Sequence, residues 1–223
     1  MTAAERRLQI LCLHGYRQND VLFREKTGSL RKMIKKYADL HYACAPHRPN
    51  VESNGERGDI RGWWFSKENA QFSSRDVTDM ATGFDESVTY LVQLIKEKGP
   101  FDGILGFSQG ASMVHLLIAM LQLQEIDIPQ PRFVIFASGF LSLSSEHAKY
   151  TSLKMTGPPS LHIYGTGDEV VLSPVSERLA GQLKGGEVEV DEIIHDGGHF
   201  IPPMSRYKQP LIDFLERQLV AIA

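Results

Sequence analysis

Short apolar runs and longer amphipathic stretches alternate along almost the whole chain, and that alternation predicts strands followed by helices. The first run, from Leu8 to Leu13, stops at His14-Gly15 and reads as a buried strand. Between Phe23 and Tyr37, Leu30, Met33, Ile34 and Tyr37 recur at helical spacing, with Thr27 or Ser29 placed as a cap. A second strand, Leu40 to Ala45, ends at Pro46. Helical spacing returns in Phe84, Val88, Leu91, Val92 and Ile95 and stops at Gly99-Pro100. Phe101 to Phe107 predicts a strand, and the helix after it runs to about Gln124, apolar on most sides and therefore buried. Further strands are expected at Arg132–Ala137, Leu161–Tyr164 and, at the sheet edge, Val188–Ile194. Between the last two, Ser173-Pro174 opens a helix through Leu179 and Leu183, with the serine as N-cap. Leu211, Ile212, Leu215 and Leu219 mark the closing helix.

This order predicts a compact, doubly wound, mostly parallel α/β sheet of about six strands with helices on both faces. One stretch breaks the rhythm. From about residue 47 to residue 76 the chain is polar and irregular, too long for a plain connection, and it predicts a cap-like insert. With no repeats or linkers, the 223 residues read as one domain spanning positions 1–223.

Composition narrows the function. With 27 acidic against 24 basic residues, the formal charge of −3 gives no electrostatic case for nucleic acid. The basic run Arg31-Lys32-Met33-Ile34-Lys35-Lys36 flanks a core stripe and reads as a solvated helix face. Cys12 and Cys44, both in apolar runs, are expected as buried thiols in a reducing compartment. Residues Met1 to Gln9 lack the apolar core of a signal peptide, and no run reaches membrane-spanning length. A soluble protein of the cytoplasm, with the nucleus also open to it, is the expectation.

The chemistry concentrates at the expected carboxyl ends of strands, where such sheets bind ligands. Gly106-Phe107-Ser108-Gln109-Gly110, between an apolar strand and a helix, is the pattern of a nucleophile elbow. Ser108 needs a base. His199, in the glycine-rich loop His195-Asp196-Gly197-Gly198-His199, can turn back over the sheet; His195 is the rival and reads as structural. An acid to orient that base is expected at Asp168, just after the Leu161–Tyr164 strand, with Glu169 and Asp196 as alternatives. The order Ser108, Asp168, His199 is that of α/β-hydrolases. Backbone N–H groups of Gln109 and Tyr16, the latter in the loop after the first strand, are the expected oxyanion donors. His14, beside Tyr16, reads as an organiser of that loop.

Neither a metal nor a cofactor is expected. The i,i+4 pair His195 and His199 is interrupted by Gly197-Gly198, and the Gly165-Thr166-Gly167 pattern lacks the third glycine of a dinucleotide fingerprint at Val170. An apolar substrate wall is expected from Trp63, Trp64 and Phe65, although core packing competes for the tryptophans, and from Phe107, Phe140 and Phe200. Met113, one turn into the helix after Ser108, is expected beside them.

Four segments together resemble the fungal and animal "family of serine hydrolases". They are His14-Gly15-Tyr16-Arg17-Gln18-Asn19, Arg61-Gly62-Trp63-Trp64-Phe65, Phe101 through Gly110, and Gly197-Gly198-His199-Phe200-Ile201-Pro202. The resemblance runs from about Leu8 to Leu219. It implies an α/β-hydrolase without the first two strands of the full fold, acting on carboxylic esters, with thioesterase activity on acyl or polyketide chains among fungal members. It places the triad on the same Ser108, Asp168 and His199. The partner expected is a small acyl ester with a medium or long unbranched chain; a thioester, or a binding module that has lost catalysis, are the alternatives.

Overall fold

The computed structural model describes residues 6–50, 58–186 and 189–220. Six strands form one sheet: β1 (Leu8–Leu13), β2 (Ala38–Ala43), β3 (Gly103–Phe107), β4 (Phe133–Ala137), β5 (Ser160–Gly165) and β6 (Val190–His195). They lie in the order β2-β1-β3-β4-β5-β6, and every pairing is parallel. The chain steps outward from β1 to β2 and then returns to the other side of β1 as β3. That reversal opens a crevice at the carboxyl ends of β1 and β3.

The helices are α1 (Asp20–Lys26), α2 (Gly28–Ile34), α3 (Phe84–Lys98), α4 (Gln109–Gln122), α5 (Ala148–Thr151), α6 (Ser173–Lys184) and α7 (Lys208–Val220). Alternate strand residues feed two separate cores. Leu11, Leu13, Ile104, Val134 and Phe136 pack with Leu91 of α3, Leu116 of α4 and Leu179 of α6. Ile10, Cys12, Leu105, Ile135 and Ile163 pack on the opposite face with Phe23, Leu30, Phe214 and Leu215. A sheet covered on both faces needs apolar side chains at successive positions, which is why its strands read as continuous apolar runs.

Several boundaries differ from the sequence expectation, each for a visible reason. The expected helix over 23–37 is two short ones. The Thr27 hydroxyl at their junction donates to the Phe23 carbonyl (2.8 Å) and meets the Tyr42 hydroxyl (2.6 Å), so it does not cap α2. Ser173 is already helical; Leu172 precedes it as the cap residue, and its carbonyl accepts from the Val175 N–H at 2.8 Å. β3 begins only at Gly103 because Asp102 is occupied in tying β1 down. Its carboxylate accepts from the Gln9 N–H (2.8 Å) and from Arg6 (3.0 Å). Cys12 is buried but Cys44 only partly so, and both are free thiols. Val188, the expected start of the last strand, lies outside the described residues, as do the first five residues of the polar N-terminus; β6 takes the expected edge position.

Within the stretch from 47 to 76, residues 51–57 are outside the described residues. The rest is held by isolated bridges, Gln18 to Arg61, His47 to Gly62 and Phe65 to Thr82, which stitch it to the loops at the crevice.

Candidate active site

The turn from β3 into α4 is sharp because nothing stands in its way. A Cβ on Gly106 would lie 2.4 Å from the Gly110 carbonyl oxygen, and one on Gly110 would lie 2.2 Å from that of Leu13. Glycine at both positions lets α4 start directly against β3 and β1. Ser108, between them, holds φ 54° and ψ −117°. That backbone conformation is costly for a residue with a Cβ and persists only when the surroundings enforce it.

The strained turn aims the Ser108 hydroxyl at an imidazole. Ser108 Oγ lies 2.9 Å from His199 Nε2, and His199 Nδ1 lies 2.7 Å from Asp168 Oδ2. A carboxylate only accepts, so it fixes the imidazole as the Nδ1–H tautomer and leaves Nε2 free to accept the serine proton. The Asp168 side chain is wholly buried, and its Oδ1 accepts from the Val170 and Val171 N–H groups at 2.9 and 2.8 Å. Burial pushes its carboxyl toward the neutral form. The His199 bond and the two backbone donors outweigh burial and hold it below the ordinary carboxylate value. The Phe107 ring lies against the imidazole, centroids 4.9 Å apart.

His195 serves a different purpose. Its Nδ1 accepts the Gly197 N–H at 3.1 Å, shaping the glycine turn that carries His199. The two rings therefore face separate partners, and among the described residues no cluster of three or more metal-ligating side chains forms.

The backbone N–H of Gln109 opens α4, and that of Tyr16 lies in the loop after β1. Neither has an acceptor among the described residues. Gly15 brings that loop onto the elbow: a Cβ there would stand 2.9 Å from the Phe107 ring and 3.3 Å from Ser108 Cβ. His14 organises the loop. It is fully buried, with Nδ1 at 2.8 Å from the Gly15 carbonyl oxygen and Nε2 accepting the Ala45 N–H at 3.0 Å. Burial lowers its pKa to about 4, which makes it a neutral spacer between β1 and β2.

A cavity of about 420 Å³ opens at Ser108 and His199, lined also by Tyr16, Phe72, Ser73, Ser74, Arg75, Glu169 and Val170. None of the six aromatic residues expected as its wall lines it. Trp63, Trp64, Phe65, Phe107 and Phe140 are buried in the interior, the two tryptophans in the core with Leu11 and Leu13 and Phe107 in the other core with Phe23. Phe200 is 46% exposed, and its ring turns to His195 at 5.5 Å, away from the cavity. Met113, a residue of α4 itself, is fully buried in the core. The aromatic wall is Phe72, which the sequence reading passed over. Its ring meets those of Tyr16 (5.4 Å), Trp64 (5.3 Å) and Phe140 (6.1 Å). An isolated aromatic in a polar stretch, Gln71-Phe72-Ser73-Ser74, was the available signal. Arg75 fastens this segment down by donating to the Glu169 carbonyl.

Comparison with known proteins gives the same direction. A family model described as serine hydrolase (FSH1) matches residues 1–211. The chain belongs to the FSH1 serine hydrolase family. Relatives in it are named esterases. "Esterase C25G4.2" of Caenorhabditis elegans is 50% identical over 97% of this chain and 96% of its own length. "Esterase OVCA2" of Homo sapiens is 38% identical over 96% and 98%. Among solved structures, Arabidopsis thaliana SOBER1 superposes with a TM-score of 0.65 at 19% identity, covering 96% of this chain and all of that one. Zea mays acyl-protein thioesterase 2 gives 0.63 at 21% identity, over 96% and 94%. At such identities these two establish the α/β-hydrolase fold of the chain. No helix among its described residues is long and apolar enough to cross a membrane.

Proposed function

We propose that this chain is a serine carboxylesterase whose residues 1–223 form one catalytic domain, acting in the cytoplasm or nucleus on medium or long unbranched acyl esters. The single observation that carries the proposal is the continuous line from Ser108 Oγ through the His199 imidazole to the buried Asp168 carboxylate, at 2.9 and 2.7 Å. In this mechanism His199 Nε2 takes the Ser108 proton as Oγ attacks the acyl carbon. The carbonyl oxygen, now negative, is received by the Gln109 and Tyr16 N–H groups. His199 then protonates the leaving alcohol, and an acyl-enzyme remains. Water enters, gives its proton to Nε2 and attacks the same carbon, releasing the acid and restoring Ser108. No metal or cofactor enters any of these steps.

An acyl chain is favoured by the side chains at the cavity mouth. Phe72, Val170 and the ring of Tyr16 give it an apolar side, and 420 Å³ falls in the ordinary range of about 300–1,000 Å³ for small-molecule sites. A series of p-nitrophenyl esters tests this. kcat/KM should rise from acetate to octanoate or decanoate, and a clear preference for acetate would reject the acyl pocket. A thioesterase would use the same groups with a different leaving atom, so matched oxygen esters and acyl thioesters belong in the same series.

A further inference from the structure

The two N–H donors assigned above come from segments far apart in sequence, Tyr16 on the β1 loop and Gln109 at the start of α4. A shift of about 1 Å between such groups can cost about 10²-fold in rate. Something must hold them in register, and the Gln109 side chain is placed to do so. It is fully buried, and both ends of its amide are used: Oε1 accepts the Trp63 N–H at 2.9 Å, and Nε2 donates to the Trp64 carbonyl at 2.8 Å. The amide thus holds two successive residues of the Trp63–Trp64 backbone at once. A buried amide is costly unless satisfied, and an apolar side chain here would in turn leave the Trp63 N–H and the Trp64 carbonyl without partners. What the amide adds is direction.

The segment it grips is fastened just as firmly to the β1 loop. The Trp63 indole N–H donates to the His14 carbonyl at 2.8 Å. The Arg17 N–H donates to the Arg61 carbonyl at 2.9 Å, and the Arg61 N–H to the Gln18 carbonyl at 2.7 Å. Arg17 itself holds φ 60°, a conformation this pairing enforces. Gly62 permits the close approach, since a Cβ there would lie 3.0 Å from the Tyr16 ring. On the far side, the Ser87 hydroxyl donates to the Trp63 carbonyl.

We propose that the Gln109 carboxamide and the Arg61–Trp64 segment form a clamp that positions the oxyanion donors, with Gln109 (by its side chain) and Trp63 as positioning residues. The proposal rests on the serine esterase mechanism. It gives the Arg61-Gly62-Trp63-Trp64 motif a function distinct from a substrate wall: the motif is the bridge between the two halves of the site.

The test compares Gln109→Met, which keeps length and apolar volume but removes both hydrogen bonds, with Trp63→Phe, which removes the indole N–H together with part of the ring, thermal unfolding of each variant serving as the control for lost packing. Each is assayed for ester turnover and for inhibition by an alkyl boronic acid, whose adduct on Ser108 mimics the tetrahedral oxyanion. For Gln109→Met, kcat should fall about 10²-fold with KM within about threefold, and boronate affinity should fall in parallel with kcat. Trp63→Phe should lose about tenfold in the same two readouts, and the double variant should lose less than the product of the two, because both act through one clamp. A folded Gln109→Met protein with near-parental kcat, or one losing kcat at unchanged boronate affinity, overturns the proposal. Should Gln109→Met fail to fold, Trp63→Phe decides alone, and unchanged kcat and boronate affinity overturn it. The parent and Ser108→Ala proteins run alongside. A parent without Ser108-dependent turnover rejects the esterase mechanism and the clamp with it, whereas an active parent with an unaffected Gln109→Met rejects the clamp alone.

Discussion

Replacing Asp168 by asparagine changes one oxygen to an NH₂ group, and the surroundings decide which way that group points. Oδ1 accepts from two backbone N–H groups, at 2.9 and 2.8 Å from Val170 and Val171, inside a fully buried pocket. An NH₂ turned toward them would leave two buried donors facing a third, a cost of a few kcal/mol. The amide oxygen therefore stays on the backbone donors, and the NH₂ faces His199 Nδ1, which in the parent lies 2.7 Å from Oδ2. Nδ1 must then accept, the proton moves to Nε2, and Nε2 can no longer take the Ser108 proton. The substitution traps the wrong tautomer without moving the ring. The expected loss is about 10⁴-fold in kcat, or about 5.4 kcal/mol of transition-state stabilisation, with KM nearly unchanged. The assay is steady-state hydrolysis of p-nitrophenyl octanoate, with thermal unfolding as the control for the fold. A folded Asp168→Asn protein losing less than about tenfold would refute the tautomer reasoning and return Glu169 or Asp196 to candidacy as the orienting acid.

Other outcomes follow from the same structure. Burial lowers His14, His115 and His147 from the ordinary 6.5 to about 4, and His162 to about 3. Between those limits the unfolded chain binds protons that the folded chain refuses, so stability should fall as pH drops from about 6.5 toward about 4. A urea midpoint that stays level between about pH 7 and about pH 5 would contradict this. Phe72 and Trp64 should separate cleanly: Phe72→Ala should shift the preferred acyl length with little change in melting temperature. Trp64→Ala, at a position 1% exposed, should cost about 3–5 kcal/mol of stability by leaving a cavity. Reversed effects would move the acyl wall back to the tryptophans.

The fold was legible because its four inner strands are buried on both faces, so each appears as a largely apolar run, the first of them ended by His14-Gly15, while the half-exposed edge strands β2 and β6 are bounded less sharply. Ser108, His199 and Asp168 could be singled out because each stands just beyond the end of such a run. The aromatic lining of the cavity was not legible in the same way. Trp63 and Trp64 stand beside glycine in a polar stretch, a pattern shared by a lid and by a buried brace; only the partners of the Trp63 N–H groups and of the Trp64 carbonyl distinguish the two. Phe72 carries no periodic signal because an irregular segment presents it. The split of the 23–37 helix was hidden for a related reason: the Thr27 hydroxyl is diverted by Tyr42, a contact across 15 residues that spacing cannot reveal.

In the proposed mechanism Ser108 is the nucleophile and His199 activates it. Fluorophosphonate labelling followed by peptide mass spectrometry tests both at once, because the reagent is captured only by an activated serine. A single adduct on Ser108, absent in Ser108→Ala and greatly slowed in His199→Ala, is the expected result. Labelling that persists in Ser108→Ala, or that is as fast in His199→Ala as in the parent, would contradict it.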